Sequence, residues 1–292
     1  MTDAQTIARA MGGVWRGNRG NAPCPVCQPE RRHGQDALSL RDEGGRLLAY
    51  CHKRGCSFAE IARALDLPPD AFRPDAEAAR VADMQRAKDD AQREGRAKAL
   101  WGDVETLPIH GTLAETYLRK RGITCPLPDT LRFQATGWHP SGYRFPMMLA
   151  RIDGGARFAV HRTYLSPEGG KASVDVNKAM LGACAGGAVQ VAQAEGPLVV
   201  AEGIETALSL ASGLLGKPAT IWAALSTSGM RGLVLPRMPG RLTVAADGDQ
   251  PGREAAMALA SRAEALGWRV MLLPAPEGRD WNDVLALKGG AA

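Results

Sequence analysis

The chain has 292 residues, 45% of them apolar and only 5% aromatic, with a formal net charge of +5 and a pI near 9.0. That length suits two or three compact units whose cores are filled mainly by Leu, Val, Ala and Met. No apolar run approaches the ~20 residues of a membrane span, and residues 1–13 lack the apolar core of a signal peptide, so we expect a cytoplasmic protein with no membrane partner, whose six cysteines serve as metal ligands rather than disulfides.

Residues 1–72 are expected to form a first domain. Residues 6–11 read as a helix, 37–40 and 46–50 as two strands around the turn Asp42-Glu43-Gly44-Gly45, and 58–65 as a helix stopped by Pro68 and Pro69. Within it, Cys24-Pro-Val-Cys27 is followed, after 23 intervening residues, by Cys51-His-Lys-Arg-Gly-Cys56. Two thiol-bearing turns opposed across a hairpin give tetrahedral sulfur ligation of zinc. The second pair is wider than C-x2-C, so His52 or His33 stays open as a replacement for one of Cys24, Cys27, Cys51 and Cys56. Arg31, Arg32, Lys53 and Arg54, with Trp15 or Tyr50 for base stacking, offer nucleic-acid contacts, or else an ordinary solvated face.

Residues 73–100 are rich in Ala and mixed charge, with few large apolar side chains, which predicts a solvated helical linker. Residues 101–190 should form an α+β unit, with a helix over 112–121 and antiparallel strands over 144–152 and 157–165. Between Tyr117 and Lys178 ten Lys/Arg face four Asp/Glu, so the positive charge is concentrated here and suits a polyanion. Cys125 and Cys184 stand alone and read as small buried residues.

Residues 191–292 alternate strands (197–201, 219–225, 241–246, 268–273) with helices (205–214, 252–266), the pattern of a parallel sheet covered by helices. Acidic residues follow these strands: Glu202, then Asp247 and Asp249, then Asp280 and Asp283 after a Pro/Gly loop. Ligands of open parallel sheets bind outside the carboxyl ends of the strands. Carboxylates gathered there repel one another unless a cation joins them, and Mg²⁺ prefers such oxygen ligands while keeping positions for phosphates. The chemistry this suggests is nucleotidyl transfer or phosphodiester cleavage. Gly203, Gly248 and Gly252 are read as sparing room for phosphates at backbone amides.

Glu202-Gly203, Asp247-Gly248-Asp249 and Asp280 with Asp283 together resemble the Toprim family. The order of zinc ribbon, basic α+β unit and Toprim domain resembles DnaG-type and phage- or plasmid-type DNA primases in particular, as do "GTLAETYLRKRGI", "RFPMMLARI" and "HRTYLSPEGGKA" in the middle segment. The resemblance implies an α/β fold, with a Rossmann-like parallel Toprim sheet at the C-terminus preceded by the α+β basic unit and the N-terminal zinc ribbon. It implies Glu202, Asp247, Asp249 and Asp280 as catalytic groups binding Mg²⁺ or Mn²⁺, and Arg144, Arg162, Lys171 and Lys178 facing template or nucleotide phosphates. The implied activity is synthesis of short RNA primers from ribonucleoside triphosphates on single-stranded DNA. "GLLGKPAT" lacks the P-loop spacing, so a helicase is expected in trans. Four residues after the first Glu, where an Asp is frequent in DnaG-type primases, this chain has Thr206. Glu205 sits one residue earlier, on a different helical phase, and is left out of the site. The rival readings are a Toprim nuclease using the same carboxylates and a non-catalytic DNA-binding replication accessory.

Overall fold

The computed structural model describes residues 3–32, 34–43, 46–67 and 76–289. His33, the Gly44-Gly45 turn, Pro68, Pro69 and the start of the linker lie outside the described residues. Two compact units, Met1–Asp89 and Asp90–Ala292, divide the chain. Among the described residues no helix is long and apolar enough to cross a membrane.

In the first unit α1 (Ala4–Ala10) is capped by Asp3, whose side chain accepts from the Thr6 amide. A four-stranded antiparallel sheet follows in the order β1 (Val14–Arg16), β2 (Arg19–Ala22), β3 (Leu38–Glu43) and β4 (Arg46–Cys51). Sequence patterning predicts only the last two, because β1 and β2 are three- and four-residue pieces rich in Gly, Arg and Asn that carry no apolar alternation. Helix α2 (Phe58–Ala64) opens with a capping box between Ser57 and Glu60. The core is small: Ile7, Met11, Leu38, Leu40 and Ile61 with alanines and two cysteines, Cys24 and Cys51.

A single helix, α3 (Ala76–Trp101), occupies the stretch where a helical linker is expected. Val81 and Met84 on it are more than half exposed. Its last turn has another character: Leu100 and Trp101 pack against Met147, Leu149 and Tyr164.

The second unit contains two sheets. A meander, β5 (Thr106–Pro108), β6 (Leu131–Trp138), β7 (Arg144–Ile152), β8 (Ala159–Tyr164) and β9 (Lys178–Gly182), is antiparallel throughout. Alternation along its strands sends Met147 and Leu149 to the α3 side and Met148, Ala150 and Ile152 into the main core with α4 (Leu113–Lys120). The other sheet runs β10-β12-β11-β13-β14, from β10 (Val189–Ala192), β11 (Leu198–Ala201), β12 (Thr220–Ala223), β13 (Arg241–Ala245) and β14 (Arg269–Leu272). Its last four strands are parallel and β10 is an antiparallel edge.

All four residues of β11 are buried, because the strand is covered on both faces. Val199 and Ala201 face the core shared with α5 (Ile204–Ser209), while Leu198 and Val200 face the one containing Met230 of α6 (Thr227–Gly232) and Leu259 of α7 (Gln250–Ala265). Beyond α5 the chain kinks through Leu210–Leu214, where Gly213 takes a φ of 101°. Helix α8 (Trp281–Gly289) closes the described chain.

Candidate active site

Strand order puts the carboxyl ends of β11 and β13 side by side, since the chain leaves β11 toward β12 on one flank and returns to β13 on the other. Register makes Ala201 the partner of Ala245. Glu202 therefore leaves the sheet one step beyond β11 and Asp247 two steps beyond β13, at the switch point where an open α/β sheet forms its crevice. Leu225 takes a left-handed conformation (φ 73°) and donates its N–H to the Glu202 carbonyl at 2.7 Å, which pins this strand end.

Asp280 reaches the same crevice because its loop lies against the Asp247–Asp249 turn. The Gly248 amide donates to the Arg279 carbonyl (2.8 Å) and the Gly278 amide to the Gly248 carbonyl (3.1 Å). A Cβ on Gly248 would stand 1.9 Å from the Pro276 carbonyl oxygen and 2.7 Å from that of Arg279. This glycine is thus required by the approach of a neighbouring loop, a reason other than the phosphate access inferred from sequence. A Cβ on Gly252 would meet Asp249 Oδ1 at 2.8 Å, the oxygen that caps α7 by accepting from the Gly252 amide (2.7 Å). Asp280 and Asp283 form a reciprocal pair, each carboxylate accepting from the other's amide at 2.8 and 3.0 Å. Asn282 ties α8 to the Arg121 carbonyl and the Ser209 hydroxyl, both at 2.9 Å. Asp283 is therefore explained by helix capping.

Asp247 is half-buried and its carboxyl is pushed up to about 7, first by burial and then by the negative charges of Glu202, Asp280 and Asp249. Glu202 is raised too, by burial and by Asp249, against the pull of Lys178. Mutual repulsion of this kind is relieved by a divalent cation, and an all-oxygen donor set suits Mg²⁺ or Mn²⁺. The folded Asp247 carboxyl stands above its unfolded value of 3.8, so the folded chain binds the extra proton and stability falls as pH rises from about 4 to about 7. In a chelator we expect thermal melting to drop across that window, and Asp247→Asn to flatten the drop.

The basic residues divide into two groups. Lys178 Nζ lies 3.0 Å and Lys171 Nζ 3.6 Å from the carboxylate of Glu205. Glu205 is fully buried on α5 and also accepts from the Tyr117 hydroxyl at 2.7 Å. Burial alone would raise this carboxyl, but Lys178, Lys171 and Tyr117 together hold it well below the usual range. Glu205 lies outside the site expected from the sequence; the helical phase that turns it from the carboxylates turns it to the lysines. Thr206 sits 3.5 Å from Asp247 Oδ1 instead. His161, buried beside Lys178, is pushed down to about 4 by burial and by that charge, so it stays neutral. Arg121 lies over the Tyr117 ring (5.7 Å), and its buried Nε has no hydrogen-bond partner.

Arg144 and Arg162 lie elsewhere, on the α3 side of the meander. Arg144 stacks over the exposed Trp138 ring at 4.3 Å, and both arginines line a groove of about 810 Å³ with Trp138, Arg96 and His139.

In the first unit the ligand atoms of Cys24, Cys27, Cys51 and Cys56 all lie within 4.8 Å of one another. Thiolates ~2.3 Å from zinc in a tetrahedron are separated by about 3.8 Å, so the set fits the ion. Burial raises the Cys51 thiol, but hydrogen bonds from the amides of Arg54, Cys56 and Lys53 outweigh it and bring it down to about 6. His52 is engaged elsewhere, 2.6 Å from the Ser39 hydroxyl. Arg16, Arg19, Arg31, Arg32 and Tyr50 line a groove of about 1520 Å³ in this unit. Among the described residues the four cysteines are the one group of His, Cys, Asp and Glu drawn so close; the carboxylate cluster is more open.

Residues 197–291 match the model of the Toprim domain family. This part of the chain is similar to a Toprim domain. Its crevice is the one built from Glu202, Asp247, Asp249 and Asp280. Residues 91–191 match a family described as a domain of unknown function (DUF7146). Comparison with curated proteins gives no match. Among solved structures the chain is similar to a DNA primase domain from Pseudomonas aeruginosa (19% identity over 68% of this chain and 73% of that one, TM-score 0.39). It is similar also to the zinc-binding and RNA polymerase domains of Aquifex aeolicus primase (13%, 100% and 81%, TM-score 0.41), and to the primase fragment of the bacteriophage T7 primase-helicase protein (15%, 96% and 96%, TM-score 0.33).

Proposed function

We propose that this chain is a DNA primase, a nucleotidyltransferase that polymerises ribonucleoside triphosphates into short primers on single-stranded DNA. The observation that carries the reading is the pairing of opposites at one crevice. Burial, and then the neighbouring carboxylates Glu202, Asp280 and Asp249, hold Asp247 up to about 7, Lys178 bears electrostatically on Glu202, and Lys171 joins Lys178 around Glu205. The first group suits a divalent cation and the second suits the phosphates such a cation escorts.

Glu202, Asp247, Asp249 and Asp280 would hold Mg²⁺ or Mn²⁺, which when bound would favour ionisation of an attacking 3′-hydroxyl and neutralise departing pyrophosphate. Lys171 and Lys178 would orient the triphosphate. Trp138 with Arg144 and Arg162 would hold single-stranded template by stacking and phosphate contact, as would Tyr50 and the arginines of the zinc-ribbon groove. Incubation of the protein with mixed-sequence single-stranded DNA, labelled ribonucleotides and Mg²⁺ or Mn²⁺ tests this. Short metal-dependent products are expected, whereas metal-dependent shortening of the template would replace the reading with a nuclease.

Trp138→Ala should weaken single-stranded DNA binding by about tenfold, since base–aromatic stacking contributes ~1–3 kcal/mol per base. Arg144→Ala should instead lower the slope of log affinity against log salt by about 0.7, as expected for one lost phosphate contact on a single strand. Fluorescence anisotropy of a labelled oligonucleotide across a salt series separates the two.

A further inference from the structure

We propose that Glu205 is a positioning residue: one buried carboxylate that holds Lys171 and Lys178 at the mouth of the carboxylate crevice and so sets nucleoside triphosphate affinity without touching the nucleotide. This rests on the primase reading and deepens it.

Glu205 has no access to solvent or ligand, with 6% of its side chain exposed. All its partners come from the meander side of the unit: Tyr117 on α4, Lys171 in the loop after β8, and Lys178 opening β9. Both lysines keep about a third of their side chains exposed, so each ammonium has one side on Glu205 and another free. One negative charge against two positive ones leaves a net positive charge on the open side. Lys178 also bears on Glu202 electrostatically, which puts the Lys178 end of that surplus next to the proposed metal ligands.

Without the carboxylate the two ammonium groups would repel, and at least one would swing into water on its flexible four-carbon stem. A buried carboxylate is costly unless paired. Its presence under two half-exposed lysines therefore needs a purpose that an apolar residue would not serve, and fixing cations for an incoming polyanion supplies one. His161 fits the same picture. It stays neutral beside Lys178 and adds no competing charge.

The test uses the full chain and ATP with Mg²⁺, with binding followed by calorimetry and folding by thermal melting. Glu205→Gln keeps the shape and removes the charge; it is expected to weaken ATP binding about tenfold or more while the protein remains folded. Glu205→Asp, which restores charge on a shorter arm, should recover part of the loss. In a Lys171→Ala/Lys178→Ala background Glu205→Gln should change ATP affinity no further, because its effect runs through those lysines. Tyr117→Phe, a milder change that keeps the charge but loosens its seat, should weaken binding in the same direction and serves if the Gln variant does not fold. Unchanged ATP affinity in Glu205→Gln, or in Tyr117→Phe, with only a lower melting temperature would overturn the inference, leaving the ion pairs a purely structural tie and the primase reading intact. Wild-type protein that neither binds ATP with Mg²⁺ nor makes primers would remove the primase reading and this inference together.

Discussion

Asp247→Asn is expected to lower primer synthesis by about 10²–10³-fold or more, the scale on which removal of one preorganised electrostatic group acts, while single-stranded DNA binding stays within about twofold of wild type. The two effects separate because the carboxylate crevice and the Trp138–Arg144 groove are built from different elements: Asp247 follows β13, whereas Trp138 ends β6 and Arg144 begins β7. The stability effect should have the opposite sign. Asp247 is held up to about 7 because burial and three neighbouring carboxylates disfavour its charge. An uncharged isostere removes that repulsion, so in chelator at pH 8 the variant should melt higher than wild type. Saturating Mg²⁺ should then stabilise wild type much more than the variant, since an ion that binds only the folded chain adds stability through its own affinity. Such a gain in stability with loss of activity marks a residue kept for chemistry. Equal synthesis by both proteins would remove Asp247 from the site, and equal Mg²⁺ stabilisation would remove the metal from Asp247.

The carboxylate crevice was legible in the sequence because its logic is local. A strand of apolar residues such as 198–201 ends, an acidic residue follows, and parallel topology gathers all such ends on one edge. The four-cysteine cluster was legible from the spacing of its two pairs, although that spacing left His52 and His33 open as a replacement for one cysteine. What the sequence hid depends on tertiary contacts. Lys171, Lys178, Arg144 and Arg162 form one basic stretch in the chain, yet strand alternation puts them at two sites. Lys178 pairs with Thr163, and Arg162, one residue earlier, points to the opposite face of β8. Glu205 falls outside a reading of the sequence alone because its partners, Tyr117 on α4 and Lys171 and Lys178 around the meander, are distant in the chain. Gly248 looked like a phosphate-loop glycine, and the actual constraint, the Pro276–Arg279 loop against its backbone, is invisible before that loop is positioned. The strands β1, β2 and β5 are too short to carry a local signal, and the alternation of edge strand β10 runs over only four residues.

Chelation of zinc, or Cys51→Ser, is expected to unfold the first unit and leave the second folded. The first unit's core, though it includes Met11, Leu38, Leu40 and Ile61, is otherwise mostly alanine, and Cys24 and Cys51 are themselves part of it. A domain of this size buries too little apolar surface to stand without a staple. A structural zinc contributes apparent binding energies of ~10–16 kcal/mol in small zinc-finger peptides, as large as the ~5–15 kcal/mol net stability of a whole domain, so its loss exceeds what this core can offset. Cys51 should be the most damaging site to change. It is buried, accepts from three backbone amides and sits 3.5 Å from the Cys27 sulfur, so a hydroxyl there loses a ligand and a turn anchor together. His52→Ala should leave zinc content unchanged, because that ring serves Ser39. Metal analysis and calorimetry check the set: one bound zinc and two melting transitions in wild type, and loss of both the zinc and one transition in Cys51→Ser. A Cys51→Ser protein that retains zinc would return the fourth ligand to a histidine, and one that retains both transitions without zinc would show that the ribbon folds on its apolar core alone.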